Sequence, residues 1–286
     1  MHAHREAMIP NFHHVTREIS GVWFKGVVVI GSSLDHFLRD NGSPEDLFLR
    51  GVRLLKSSRS TSNAMVHLHS ASPETIAEEV FVKQFRFKNT LHSLKPFFRR
   101  HGAQVTWRIS WYLLQHGIPV PEPVGYLLKQ RGPFCLDGYF FSKAVPGCTN
   151  LGALAVDEEH LRKRLGPGSL TETLASDIAS LHNCGVIHGD LKWTNILVHV
   201  ERNELWFVDL DSAKLRGGPP GPAHVARDLA RFVLNGLEVG VDDSIINRFL
   251  DEYAGNRDLN RQSIDESLQR VLTKLRKRHQ RKRERE

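Results

Sequence analysis

Apolar positions follow two periods along this chain, and the period changes from one half to the other. Short β-rich runs come first, at residues 27–30, then as a pair within 54–66 joined by a small polar turn, then at 80–85, 124–128 and 139–141. Five of these runs lie between residue 54 and the extended stretch Ala144, Val145, Pro146, Gly147, which breaks the pattern. One helix interrupts them. It has Val105, Ile109 and Leu113 on one face and stops at Gly117, ahead of Pro119 and Pro121. Helical spacing then takes over, with Leu170, Leu174, Ile178 and Leu181 in one stripe behind a Ser169 to Glu172 capping box. Helices are also expected around 226–231, over 242–253, and from 263 onward, where Ile264, Leu268, Val271, Leu272 and Leu275 align. The fold class is α+β, with a β-rich part at 1–147 and a mostly helical part at 148–286.

Between the helix that ends at Gly185 and the run that begins at Ile196 stands His188-Gly189-Asp190-Leu191-Lys192-Trp193-Thr194-Asn195. A second acid, Asp209, ends the apolar run Leu205-Trp206-Phe207-Val208. The polar turn at 201–204 makes the two runs a hairpin, which would bring Asn195 and Asp209 together at its end. Two oxygen donors at adjacent strand ends suit Mg²⁺, which takes the rest of its shell from water and phosphate. Asp190 is then free to orient a substrate hydroxyl. The combination resembles the protein-kinase pattern H-R-D-x-x-x-x-N followed by D-F-G, with Gly189 in place of Arg and Asp209-Leu210-Asp211 in place of D-F-G. That resemblance implies Asp190 as the base, Asn195 and Asp209 as metal ligands, and Lys192 as a cation neutralising the transferring phosphoryl group.

Residues 80–85 alternate so that one face carries Phe81, Lys83 and Phe85 and the other Val80, Val82 and Gln84. A lysine buried between phenylalanines needs an anion, and the phosphates of ATP would supply it. The alternative is a lysine at a strand edge with its head in water. Kinases pair such a lysine with a glutamate on the next helix, and here the nearest polar residue on that helix is Gln104, with Glu78 and Glu79 as other sources. The turn within 54–66 has no glycines for a phosphate-cradling loop. Asp228 either braces the catalytic loop or pairs at the surface with Arg227 or Arg231.

Net charge is +7 with pI near 9.4, which favours an acidic partner. Basic residues cluster in two segments, Lys88 to Arg100 and Lys274 to Arg285. The second is either a solvated helix end or an arm lying on anionic phospholipid. Cys135, Cys148 and Cys184 have neither disulfide nor zinc spacing, which fits a reducing cytoplasm. The amino terminus lacks the order of a signal peptide, and no apolar run approaches a membrane span. His2, His4, His13 and His14 have no Cys or acid at ligand spacing and are read as ordinary histidines.

The order of features narrows the likeness further. The lysine of V-K-Q-F, the basic-aromatic connection, the G-I-P-V-P-E-P helix exit, V-P-G and H-G-D-L-K-x-x-N together resemble the lipopolysaccharide kinase family, which includes Kdo and core-heptose kinases. The resemblance implies a two-lobe protein-kinase-like fold that uses ATP and Mg²⁺, with Lys83 on the phosphates and the backbone of Lys143 to Val145 reading adenine. It also implies a lipid A core saccharide as substrate, a cytoplasmic location peripheral on the inner membrane, and no nucleic-acid partner. A reduced protein kinase and a non-catalytic pseudokinase are the other expectations.

Overall fold

The computed structural model describes residues 16–283 except 22, 41, 50–52, 59, 69–76, 87–100, 132–133 and 155–169, and describes only the backbone at 48, 49, 56 and 275–283. The expected basic connection, the terminal histidines, the capping Ser169 and the side chains of the basic arm beyond Lys274 lie outside the described residues. The chain forms two compact units, Met1–Tyr112 with Pro121–Val145 and Leu113–Val120 with Pro146–Glu286. The division thus falls at Val145, two residues ahead of the expected boundary, and the helix-exit segment sides with the second unit.

In the first unit the strands are β1 Thr16–Ser20, β2 Phe24–Val29, β3 Arg53–Ser57, β4 Thr61–Leu68, β5 Glu78–Arg86, β6 Pro123–Arg131 and β7 Phe134–Lys143. They make one sheet in the order β1-β2-β6-β7-β5-β4-β3, with every neighbouring pair antiparallel. Five strands were expected from residue 54 onward, and the β1–β2 hairpin extends that sheet to seven by pairing β2 with β6. The T-R-E-I-S sequence hides β1 from pattern analysis because an edge strand needs little apolar surface. Its one large apolar side chain, Ile19, packs on the core.

Helices α1 Ser33–Arg39 and α2 Pro44–Leu49 contribute Leu34 and Leu47 to a core with Val28, Val66, Val80, Val82, Leu127, Tyr139 and Phe141. Helix α3 Gly102–Gln115 brings Ala103 and Trp107 into a second core with Leu128, Cys135 and Phe140. Covering both faces explains why β6 reads as a nearly continuous apolar run instead of an alternating one. It also settles the alternation in β5, because Val80 and Val82 join the first core while Lys83 and Phe85 are turned the other way. Each such large side chain contributes about 1.5–3 kcal/mol by leaving water.

The second unit contains β8 Thr149–Asn150, the single turn α4 Leu151–Leu154, α5 Leu170–Asn183, β9 Val186–Ile187, β10 Ile196–His199, β11 Glu204–Phe207 and β12 Lys214–Leu215. Three helices follow: α6 Pro222–Glu238, α7 Asp243–Asn256 and α8 Arg261–Arg283. Helix α5 packs on α7 and α6 on α8, while β10 pairs with both β11 and β8, and β12 with β9. The stripe of α8 buries Ile264, Leu268 and Leu272. Pro222 occupies the first turn of α6, where its missing N–H costs nothing.

Candidate active site

The loop between β9 and β10 is built from its buried end outward. His188 is fully buried, donates from Nε2 to the Val208 carbonyl at 3.0 Å, and receives the Asp190 N–H on Nδ1 at 3.4 Å. Burial holds its pKa below the usual histidine value, so it stays neutral and serves as a spacer between the loop and the β11 exit. Gly189 has φ +82, and a Cβ there would meet the Ser212 carbonyl at 2.5 Å. This is why glycine stands where most kinases carry arginine.

Asp228, on α6, lies under this turn and is fully buried. Its two carboxylate oxygens accept the backbone N–H groups of His188 at 2.7 Å and Gly189 at 2.9 Å. His182, itself fully buried on α5, places Nε2 at 3.4 Å from the same carboxylate and takes the Tyr253 hydroxyl on Nδ1 at 2.7 Å. Burial alone would raise the pKa of Asp228, but the hydrogen bonds from His182 and Gly189 outweigh it and keep the carboxyl below the ordinary range. Of the two expectations for Asp228, the surface ion pair is therefore wrong. Arg227 is exposed, and Arg231 points elsewhere.

Arg231 goes to the candidate base. Its Nη1 donates to the Gly189 carbonyl at 3.1 Å and contacts Asp190 Oδ1. Lys192 Nζ lies 3.0 Å from Asp190 Oδ2, and Asn195 Nδ2 donates to the Asp190 carbonyl at 2.9 Å. Trp193 anchors the rest of the loop, with its N–H on Asn235 Oδ1, its indole N–H on the Phe232 carbonyl and its ring against Gly236. Positions 228, 231, 232, 235 and 236 share one face of α6, so a single helix face carries the loop. The sequence pattern does not reveal Arg231 as a site residue or Trp193 as an anchor. The available signal was Arg231 three residues after Asp228, on the same helix face.

The β10–β11 hairpin forms with Ile196 opposite Phe207, and the Val208 N–H reaches the Asn195 carbonyl at 3.0 Å. Asn195 and Asp209 therefore leave the same end of the hairpin. Asp209 has φ +66, in the left-handed region, and caps the short 3-10 turn Leu210–Ser212. Giving Nδ2 to Asp190 commits the nitrogen end of the Asn195 amide and leaves Oδ1 as its acceptor. An amide oxygen and a carboxylate at one hairpin end are donor types that fit Mg²⁺, and no cluster of three or more His, Cys, Asp or Glu suited to a metal exists among the described residues. A donor pair of this size suits an ion that completes its shell with water and phosphate.

Lys83, Lys143 and Val145 belong to the first unit. Lys83 is 7% exposed, stands opposite Asn63 on β4 and Phe140 on β7, and places Nζ 4.8 Å from the centroid of the Phe85 ring. It is thus a central-strand lysine and not an edge lysine with its head in water. Gln104 is occupied at the start of α3, where its side-chain oxygen accepts the His101 N–H. Glu78 accepts from Ser33 and lies 3.9 Å from Lys143. The Lys143 ammonium is 2.8 Å from Glu122, and the N–H groups of Lys143 and Ala144 go to the carbonyls of Glu122 and Glu79. Lys143 therefore cannot offer its N–H to a nucleotide base, which leaves Val145 as the expected donor of that stretch.

A small antiparallel sheet with a crossing helix, followed by a helical unit carrying this loop and hairpin, defines the protein-kinase-like α+β class. The solved structure "WaaP in complex with acyl carrier protein" has this fold, with a TM-score of 0.60 and 18% identity, covering 89% of this chain and 98% of that one. The sequence profile of the lipopolysaccharide kinase (Kdo/WaaP) family matches residues 78–253, and the chain belongs to that family. It is also similar to the 3-deoxy-D-manno-octulosonic acid kinase of Vibrio parahaemolyticus serotype O3:K6 (strain RIMD 2210633), 26% identical over 102 residues. That stretch is 36% of this chain and 40% of the relative, so the likeness spans less than half of either.

Proposed function

We propose that this chain is an ATP-dependent kinase that phosphorylates a sugar hydroxyl of the lipopolysaccharide inner core, with a sugar acid of the Kdo type as acceptor. The observation that carries the proposal is Asp190, held on a braced loop five residues before Asn195, with Asp209 leaving the same hairpin end as Asn195. Asp190 orients the acceptor hydroxyl and receives its proton. Lys192 neutralises charge on the moving phosphoryl group, and Lys83 does the same for the other phosphates of the nucleotide. Asn195 and Asp209 hold Mg²⁺, which when bound offsets the charge of the phosphate oxygens. Val145 contributes its peptide group to the base. Membership of the lipopolysaccharide kinase family supports phosphoryl transfer to a sugar hydroxyl as the reaction.

The site of action proposed is the cytoplasmic face of the inner membrane, where a basic chain would meet an anionic lipid A core substrate. No helix among the described residues is long and apolar enough to cross a membrane. The neighbouring structure holds WaaP with acyl carrier protein, and an acyl carrier protein is the corresponding candidate partner here. The test is ATP consumption with lipid A core saccharides as acceptors, with the phosphorylated position read by mass spectrometry. Asp190→Asn should abolish transfer while Mg-nucleotide still binds. Wild-type turnover in that variant would remove Asp190 from its role.

A further inference from the structure

We propose that Arg231 is the residue that reads the acceptor's carboxylate, and that it occupies Asp190 until the acceptor arrives. The proposal rests on the sugar-acid kinase assignment above and adds to it a recognition residue and an order of events.

Each oxygen of the candidate base has a cation beside it. Arg231 contacts Oδ1 and Lys192 lies 3.0 Å from Oδ2. A lone pair remains on each oxygen for an incoming hydroxyl, but two cations lower the basicity of the carboxylate, so it becomes a stronger proton acceptor when one of them yields. Lys192 has a counter-ion on the donor side, because the phosphoryl group draws it. None of the nucleotide contacts proposed above draws on Arg231. It rises from α6, three residues from the brace Asp228, and its tie to the Gly189 carbonyl at 3.1 Å keeps the guanidinium beside the base. The side chains of Arg231, Asp190 and Lys192 are 24%, 27% and 40% exposed, so a ligand can reach all three. A guanidinium is the side-chain group best matched to a carboxylate, which it can bind through two parallel hydrogen bonds. A sugar acid presents such a carboxylate on the same molecule as its hydroxyls. When that carboxylate takes Arg231, one anion replaces another on the guanidinium and Oδ1 of Asp190 is released toward the hydroxyl. The acceptor thereby assembles its own base.

The test compares a Kdo-type sugar acid with its primary amide, which has the same hydroxyls and no charge. The readout is the ratio of kcat/KM for acid over amide in wild type, Arg231→Gln and Arg231→Lys. Wild type should prefer the acid by roughly tenfold to a hundredfold, as expected for a charge-assisted pair. Arg231→Gln should bring the ratio to about one, and Arg231→Lys should leave it between the two, since a lysine keeps the charge without the fork. Should Arg231→Gln fail to fold, acceptor binding to Asp190→Asn gives an independent measure. Removing the competing anion should tighten binding of the acid and leave the amide unchanged. A ratio unaltered in Arg231→Gln, no acid preference in wild type, or no tightening in Asp190→Asn each overturns the proposal. A wild type that phosphorylates neither sugar refutes the Kdo-type acceptor on which the proposal rests, a result distinct from equal use of acid and amide.

Discussion

Replacing Asp228 by Asn takes one oxygen acceptor from a fully buried position where water cannot replace it. The carboxylate receives His188 N–H at 2.7 Å on one oxygen and Gly189 N–H at 2.9 Å on the other, with His182 at 3.4 Å. An amide has one oxygen, so in either orientation its NH₂ faces a donor. One backbone N–H loses a bond to a charged acceptor and is stranded in the interior, at a cost of about 2–4 kcal/mol. For a unit of this size each kcal/mol lowers Tm by roughly 2–4 °C, so the melting temperature should fall by about 4–16 °C. Turnover should fall as well, because the same two N–H groups set the turn that presents Asp190. Urea and thermal unfolding measure the first effect and initial rates the second. Arg227→Ala, at an exposed neighbouring position, serves as the control and should change stability by less than about 0.5 kcal/mol. If Asp228→Asn costs under about 1 kcal/mol and keeps wild-type rates, the carboxylate behaves as a surface charge and the brace is refuted.

Lys83→Ala and Asp209→Ala should each weaken Mg-nucleotide binding in titration calorimetry, and the Asp209 effect should disappear when the metal is chelated; unchanged affinity in both would dismantle the site. Asp177 is a half-buried carboxyl that burial pushes up to about 6. The folded chain then holds a proton that the unfolded chain has released between about pH 4 and 6, so the ionised group is destabilising above that window. Asp177→Asn should therefore stabilise by about 1 kcal/mol at pH 8, after allowance for solvent screening, with the gain fading toward pH 4; equal gain at both pH values would contradict this. His182 and His188 act in the opposite sense, because burial lowers both, and their contribution is present above about pH 6.5 and lost as pH falls below it. Measured in the Asp177→Asn background, stability that is flat between pH 5 and 7 would speak against buried neutral histidines.

Much of the fold is legible in the sequence where the cause is local. The stripe of α5 and the β10–β11 hairpin depend on residues a few positions apart, and both form as the pattern predicts. The covered face of Lys83 is harder to foresee, because alternation in β5 defines two faces without saying what lies on each. Helices α1 and α2 take the valine face and α3 lies over the other, so both are buried. The β1–β2 hairpin is a similar case, since an edge strand with a single large apolar residue carries almost no periodic signal.

The sequence by itself determined the chemistry offered at the site: an aspartate, a lysine, an asparagine and a second aspartate at spacings that a loop and a hairpin can bring together. Tertiary structure alone decided which side chains hold them. Asp228 and Arg231 reach the loop across roughly 40 residues of chain. From sequence, Asp228 is as readily a partner for Arg227 as for the backbone of His188. The packing of α6 beneath the turn removes water from one carboxylate and leaves the backbone N–H groups of His188 and Gly189, together with the His182 ring, as its donors. The same helix turns Arg231 toward Asp190, because three residues farther along is nearly one full turn.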